Sequence, residues 1–265
     1  MKLGVIGCGK MGRALLEGIL KAGIVSPGET RVFDTYAPAA AEMARELGVK
    51  EAGSNEEVVS ESDVVLLCVK PQGFLEMLGA IGPGEGKLLI SIAAGVQISS
   101  IEEATSGRHR VVRVMPNTPA LVGKGASGFA LGTTASADDA NLTRSLLSAV
   151  GYVCEVNESD LDAVTAVSGS GPAYVFLMIE ALVAGGIEQG LDPEIAGALA
   201  AHTVAGAAEL LLQSSESPTQ LRENVTSPNG TTFAALESFR SDHFEEIVKR
   251  AVAAAADRSK ELGQS

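Results

Sequence analysis

Tryptophan is absent from the 265 residues, and aromatics make up only 4% of them. A core without large rings must be closed by aliphatic and small side chains, and Gly and Ala are abundant here. Basic residues are scarce as well. Lys and Arg number 20 against 33 Asp and Glu, a formal net charge of −13. Scattered cations on an acidic chain exclude DNA, RNA and an acidic membrane surface as partners. The three cysteines, Cys8, Cys68 and Cys154, lie far apart with no C-x-x-C pair. That pattern offers no disulfide framework and fits a reducing cytoplasm. The three histidines lack metal-ligand spacing, so no metal is expected. His109, between Arg108 and Arg110, reads as a solvated loop residue, His202 as a packing residue and His243 as a surface position. No cationic leader precedes an apolar run. The longest uncharged apolar stretch, 173–179, is far short of the ~20 residues that span a bilayer, so a soluble protein is expected.

What is present begins at once. Residues 3–6 form a short apolar run that reads as a buried strand. It breaks at Gly7-Cys8-Gly9-Lys10-Met11-Gly12 and resumes with helical spacing at Ala14, Leu15, Gly18 and Ile19. A G-x-G-x-x-G loop between strand and helix is the dinucleotide-binding fingerprint. Gly7 allows the tight turn, Gly9 the approach of a pyrophosphate, and Gly12 the close packing of helix on strand. A further strand over 30–33 ends in Asp34, about 20 residues past the loop, where such folds place an acid on the cofactor ribose.

To about residue 156 strand and helix alternate, with helices over 37–47 and 56–60 and strands over 63–69, 87–93, 110–115, 128–132 and 151–156. The continuous apolar runs among these are those of parallel strands buried on both faces. The segments that end the strands, at Asp34, Lys70-Pro71, Ala94-Gly95 and Pro116-Asn117, should line one crevice, because open α/β sheets bind ligands outside the carboxyl ends of their strands. From residue 159 onward only helix signals remain, over 160–167, 171–189, 193–212, 218–225, 231–239 and 242–262. The expected fold is therefore an α/β Rossmann domain with a mostly parallel, doubly wound sheet (1–157) followed by an all-α domain (158–265). The helix over 171–189 is apolar nearly all round and must be covered on all sides. A second copy of the chain is favoured as its cover, with the first domain as the alternative.

Many nicotinamide dehydrogenases acting on alcohols or carbonyls need a His, Lys or Tyr to move a proton. After Lys124 the only lysines are Lys249 and Lys260, in the last helix. In the 3-hydroxyacid dehydrogenase group a Gly-rich turn leads into a helix with a catalytic Lys. The corresponding helix over 171–189 has none, which points to a hydride acceptor that needs no strong protein acid, and a protonated imine fits, because its own charge polarises the C=N bond. A second polar concentration spans Asn224 to Thr232. Thr231 or Thr232 suits a helix cap, but four hydroxyls (Thr226, Ser227, Thr231, Thr232) and two asparagine amides exceed what one cap needs. Hydroxyls and free N–H groups at a helix start suit a small carboxylate.

These stretches resemble the pyrroline-5-carboxylate reductase family along essentially the whole chain. The carriers are IGCGKMGRAL from Ile6, VKPQ from Val69, SIAAGV from Ser91, VRVMPNTPALVGKG from Val112, AVSGSGPAYVFLMIEAL from Ala166 and LRENVTSPNGTTFAALESF from Leu221. The first is generic to dinucleotide folds; MPNTP, SGSGPAY and TSPNGTT in this order are specific. The resemblance implies NAD(P)H-dependent reduction of 1-pyrroline-5-carboxylate to L-proline, the last step of proline biosynthesis. It also implies a homodimer through the C-terminal helices, often assembled into a ring of dimers. By matching position, Gly7 to Gly12 hold the pyrophosphate, and Asn55, Val69, Lys70, Pro71 and Ala94 contact the rest of the cofactor. Ser227, Thr231 and Thr232 bind the substrate carboxylate and ring nitrogen, with Thr232, the catalytic candidate, nearest the imine; Asn224 and Pro172 border the pocket. NADPH is the family expectation. Asp34 departs from the pattern of many members and argues for tolerance of NADH, unless it turns to solvent or caps the next helix. The rival readings are a 3-hydroxyacid-type dehydrogenase and a non-catalytic nucleotide-sensing module.

Overall fold

The computed structural model describes residues 1–79, 81 and 86–263. Eight strands form one sheet: β1 (Leu3–Ile6), β2 (Thr30–Phe33), β3 (Lys50–Glu51), β4 (Val64–Leu67), β5 (Leu88–Ser91), β6 (Arg110–Met115), β7 (Gly125–Leu131) and β8 (Gly151–Glu155). Their order is β3-β2-β1-β4-β5-β6-β7-β8. All neighbours are parallel except β6 and β7. The order reverses between β1 and β4, which are paired from Leu3↔Val64 to Ile6↔Leu67. A doubly wound sheet opens its ligand crevice at such a switch point.

The helices are α1 (Lys10–Lys21), α2 (Ala37–Leu47), α3 (Asn55–Ser60), α4 (Phe74–Gly79), α5 (Ile98–Ala104), α6 (Ala137–Ser148), α7 (Leu161–Val164), α8 (Gly171–Glu188), α9 (Pro193–Gln213), α10 (Pro218–Asn224), α11 (Thr231–Ser241) and α12 (Phe244–Leu262). Local chemistry sets several ends. Pro38 opens α2 and Gly48, left-handed at φ 68°, closes it. Ser136 and Asp139 form a reciprocal capping box on α6. Asp192 and Ser217, each followed by proline, cap α9 and α10. A π-turn over Thr165–Gly169 joins α7 to α8.

The chain divides into two compact units, Met1–Ser170 with Ala254–Ser265, and Gly171–Ala253. The sequence placed its boundary at 157/158. Residues 158–170 are held in the first unit because Leu161 and Ala166 are buried, and the last turns of α12 return to that unit. Pleating sorts the central strands between two cores. Val64, Leu66, Leu88 and Ile90 enter one, with Leu15, Leu16 and Met43. Val65, Leu67 and Leu89 enter the other, with Phe74, Leu78 and Leu161.

Two expectations are corrected. His109 is buried, not solvated: it opens the approach to β6, and its carbonyl accepts the Thr134 hydroxyl at 3.4 Å. His202 lies exposed on α9 rather than packed within the single chain. Two helical spans, Glu158–Glu188 and Pro193–Gln213, are long and apolar enough by length and composition to cross a membrane, with mean hydropathies of 1.5 and 1.6.

Candidate active site

In the first unit, the carboxyl ends of β1, β2 and β4 converge on the glycine loop. Gly7 has φ 101°, and a Cβ there would lie 2.6 Å from the Cys68 carbonyl, so only glycine lets the two strand ends touch. A Cβ on Gly12 would lie 2.2 Å from the Gly7 oxygen, which ties α1 to the turn. Gly9 differs: no heavy atom lies within 4 Å of its Cβ position. The space beside it opens at the start of α1, where no side chain caps the helix and Gly9 and Lys10 are exposed. The first N–H groups of a helix lack intrahelical acceptors and carry the positive end of its dipole. A free glycine edge beside uncapped N–H groups fits a pyrophosphate.

Asp34 stands at the end of β2 and is held twice. Its Oδ2 accepts the Cys8 N–H at 2.7 Å, and its Oδ1 accepts the Tyr36 N–H at 2.8 Å. The carboxylate thus neither floats in solvent nor caps α2; it pins the glycine loop to the end of β2. Burial pushes the Cys8 thiol up to about 12, and the Asp34 charge adds to it. Burial also pushes Cys68 to about 12. Both remain protonated thiols at neutral pH, without the thiolate character of a nucleophile. Asn55 opens α3, and its Oδ1 is buried without a hydrogen-bond partner. An acceptor so placed asks for a donor from outside the protein. Val69, Lys70 and Pro71 follow β4, the last two exposed, and Ala94 is exposed after β5. All the expected cofactor residues therefore belong to the first unit.

Asn117, after β6, is buried. Its amide donates to the Ser168 carbonyl at 3.0 Å, and its Oδ1 accepts the Ala126 N–H at 2.8 Å. Glu158 accepts from the Ile98 N–H at 2.7 Å and from Arg113 at 3.0 Å. The Asn of MPNTP was visible as a strand-end residue; nothing marked Glu158, because its partners lie 45 and 60 residues away.

In the second unit, α10 ends at Asn224 and a short loop leads to α11. Asn229 takes a left-handed φ of 59°, and the Gly230 N–H closes the turn on the Ser227 carbonyl at 3.0 Å. Gly230, not a threonine, is the N-cap of α11, and no side chain caps it. The capping expectation for Thr231 and Thr232 is thereby corrected: they occupy the first helical positions, Thr231 exposed and Thr232 half-buried. Thr226 is already engaged, donating to the Arg222 carbonyl at 2.6 Å. The Asn224 amide is held by Glu216 at 2.8 Å and by Gln220 at 3.0 Å. Ser227, Thr231 and Thr232 thus gather about a bare helix start, a site for a small anion. Pro172 lies in the first turn of α8. Among the described residues no group of three or more His, Cys, Asp or Glu could hold a metal.

A dinucleotide crevice at the switch point of a Rossmann sheet, in a chain that carries a second, helical unit, defines a nicotinamide-dependent oxidoreductase with a helical second domain. Comparison with known proteins narrows the class. Residues 2–95 match the model described as NADP oxidoreductase, coenzyme F420-dependent, and residues 158–262 match that described as pyrroline-5-carboxylate reductase dimerisation. The chain is 43% identical to pyrroline-5-carboxylate reductase of Methanosarcina acetivorans over 99% of its own length and 98% of the relative's. It is 41% identical to the Glycine max enzyme, covering 98% and 95%. The Coxiella burnetii pyrroline-5-carboxylate reductase structure superposes with a TM-score of 0.93 at 36% identity, covering 100% and 99%. That of the Plasmodium falciparum enzyme with NADP bound gives 0.88 at 34%, covering 99% and 98%. The chain belongs to the pyrroline-5-carboxylate reductase family.

Proposed function

We propose that this protein reduces 1-pyrroline-5-carboxylate to L-proline with NAD(P)H. The uncapped start of α11 carries the reading: it presents hydroxyls and free N–H groups to an amino-acid-sized anion in a chain related to these reductases from end to end. Ser227 and Thr231 bind the substrate carboxylate, and Thr232 lies nearest the ring nitrogen. Asn224 and Pro172 border the pocket. The nicotinamide supplies the hydride, and the protonated imine supplies its own electrophilic charge. The protein's contribution is then orientation, an effect worth several kcal/mol. Gly7 to Gly12 hold the pyrophosphate at the start of α1, and Asn55, Val69, Lys70, Pro71 and Ala94 line the rest of the cofactor site.

NADPH is the family's expected cofactor, but Asp34 bears on the choice. Two N–H donors hold its carboxylate without neutralising it. Facing a 2′-phosphate, such a charge costs up to about 4 kcal/mol at a partly exposed site, whereas a ribose 2′-OH can donate to it. NADH is therefore accepted as well. The helices over 158–262 form the dimer, with rings of dimers beyond it, and the three free thiols suit a cytoplasmic setting.

The test is spectrophotometric. Pyrroline-5-carboxylate should consume NADPH or NADH absorbance; no loss with either excludes the reductase. Thr232→Ala should lower kcat/KM about 10- to 100-fold, the worth of a hydrogen bond to a charged group. Unchanged turnover and KM would mean that the α11 start does not bind the substrate.

A further inference from the structure

The loop after β5 carries Ala94 and is gripped from two sides by segments remote in sequence. Gly95 takes a φ of 77°, and a Cβ there would lie 3.2 Å from the carbonyl carbon and oxygen of Leu262. Reciprocally, a Cβ on Gly263 would lie 3.1 Å from the Gly95 oxygen. Two glycine backbones thus touch, an approach that any side chain at either position would force apart. One turn earlier, Ser259 is buried and its hydroxyl donates to Asp162 Oδ1 at 2.6 Å. Asp162 lies in α7, four residues after Glu158, which holds the Ile98 N–H at the other end of the same loop. Residues 158–162 therefore anchor both the last turn of α12 and the start of α5.

Chain ends fray unless something ties them down. Here hydrophobic burial is a weak tie, because Leu262 is 50% exposed and Lys260 and Glu261 are exposed. The last turn makes a buried hydrogen bond to Asp162 and a backbone contact on the loop. We propose that residues 259–263 are a positioning brace that holds the Ala94–Gly95 turn, and with it the nicotinamide end of the cofactor. This rests on the reading that Ala94 meets the cofactor. A loop held in place beforehand is not ordered at the expense of binding energy, so loosening it weakens the nicotinamide half and spares the adenosine half.

The experiment is calorimetric titration of the full-length protein with NADPH and with 2′,5′-ADP, and with NADH and ADP. Gly263→Ala and Ser259→Ala should each weaken the whole dinucleotide three- to tenfold and leave the adenosine fragment unchanged. Equal weakening of both ligands, or weakening of neither without faster exchange of the loop, overturns the brace. Amide hydrogen exchange over 95–98 without cofactor reads the brace independently. Faster exchange in Gly263→Ala is expected, and unchanged exchange overturns it. Faster exchange with unchanged dinucleotide affinity, together with an Ala94→Val variant that binds normally, overturns the placement of Ala94 at the nicotinamide instead.

Discussion

β4 and α8 carry the same kind of sequence, an apolar run with scarcely a charge, and meet opposite fates. All four residues of β4 are buried, with neighbours on both edges and helices on both faces. In α8 none of the 18 residues is buried, and Phe176 and Leu177 are 61% and 66% exposed. A sheet strand finds its cover within its own unit, because each crossover lays a helix over the strands. A helix apolar all round needs cover on every side, and its own unit leaves it uncovered. The first unit is thus complete as one chain, and the second presents apolar surface in the stretch that matches a dimerisation model.

The largest effect that would break this contrast lies in the self-sufficient unit. Gly12→Ala drives a methyl into the Gly7 carbonyl and displaces α1 from the loop. Since a misplacement of about 1 Å can cost ~100-fold, kcat/KM should fall by at least about 100-fold. Wild-type activity would show that the loop does not hold the cofactor. In the second unit, Leu177→Asp puts a charge on the uncovered face. A charge buried without a partner costs several kcal/mol, so sedimentation at micromolar concentration should shift from dimer to monomer. A dimer with unchanged affinity would place the interface elsewhere.

The smaller effects sharpen the account of the first unit. Asp34→Ser should raise the NADPH over NADH ratio of kcat/KM about tenfold or more, in keeping with the charge repulsion it removes; a constant ratio would turn Asp34 away from the ribose. Because Asp34 also pins Cys8, affinity for both cofactors should fall alongside. Asp139→Ala should cost about 1–2 kcal/mol of stability in denaturant unfolding, the loss of a capping box. Burial works against its charge, but hydrogen bonds from Ser136 and the Arg110 guanidinium outweigh that and hold the carboxyl below its usual range. A lowered native pKa means stability that is present above the ordinary carboxyl pKa and lost as pH falls through the native value. The variant should therefore lose less on acidification than the parent, and parallel acid titrations of the two would contradict this.

Strands and glycine loop were legible because their cause is local. The runs 3–6, 30–33 and 110–115 are the strands themselves, and the spacing of Gly7, Gly9 and Gly12 encodes the turn within six residues. The burial of His109 was not legible: two flanking arginines suggest water, yet the residue immediately precedes β6, whose paired residues lie 22 positions away in β5 and 13 to 19 positions away in β7. The role of Thr231 and Thr232 was half legible. Their clustering showed a polar site, but which residue caps α11 depends on backbone dihedrals at Asn229 and Gly230 that composition does not reveal.

By itself the sequence determined the alternation of elements, the apolar faces, the dinucleotide loop and the hydroxyl-rich start of a late helix, since each depends on residues within a few positions of one another. Only the tertiary structure decided that Asp34 grips Cys8, that Glu158 reaches Ile98 and Arg113, and that the end of α12 lies on Gly95. Such contacts join residues 26 to 168 positions apart, and whether they form depends on how strands and helices stack rather than on what any one segment prefers.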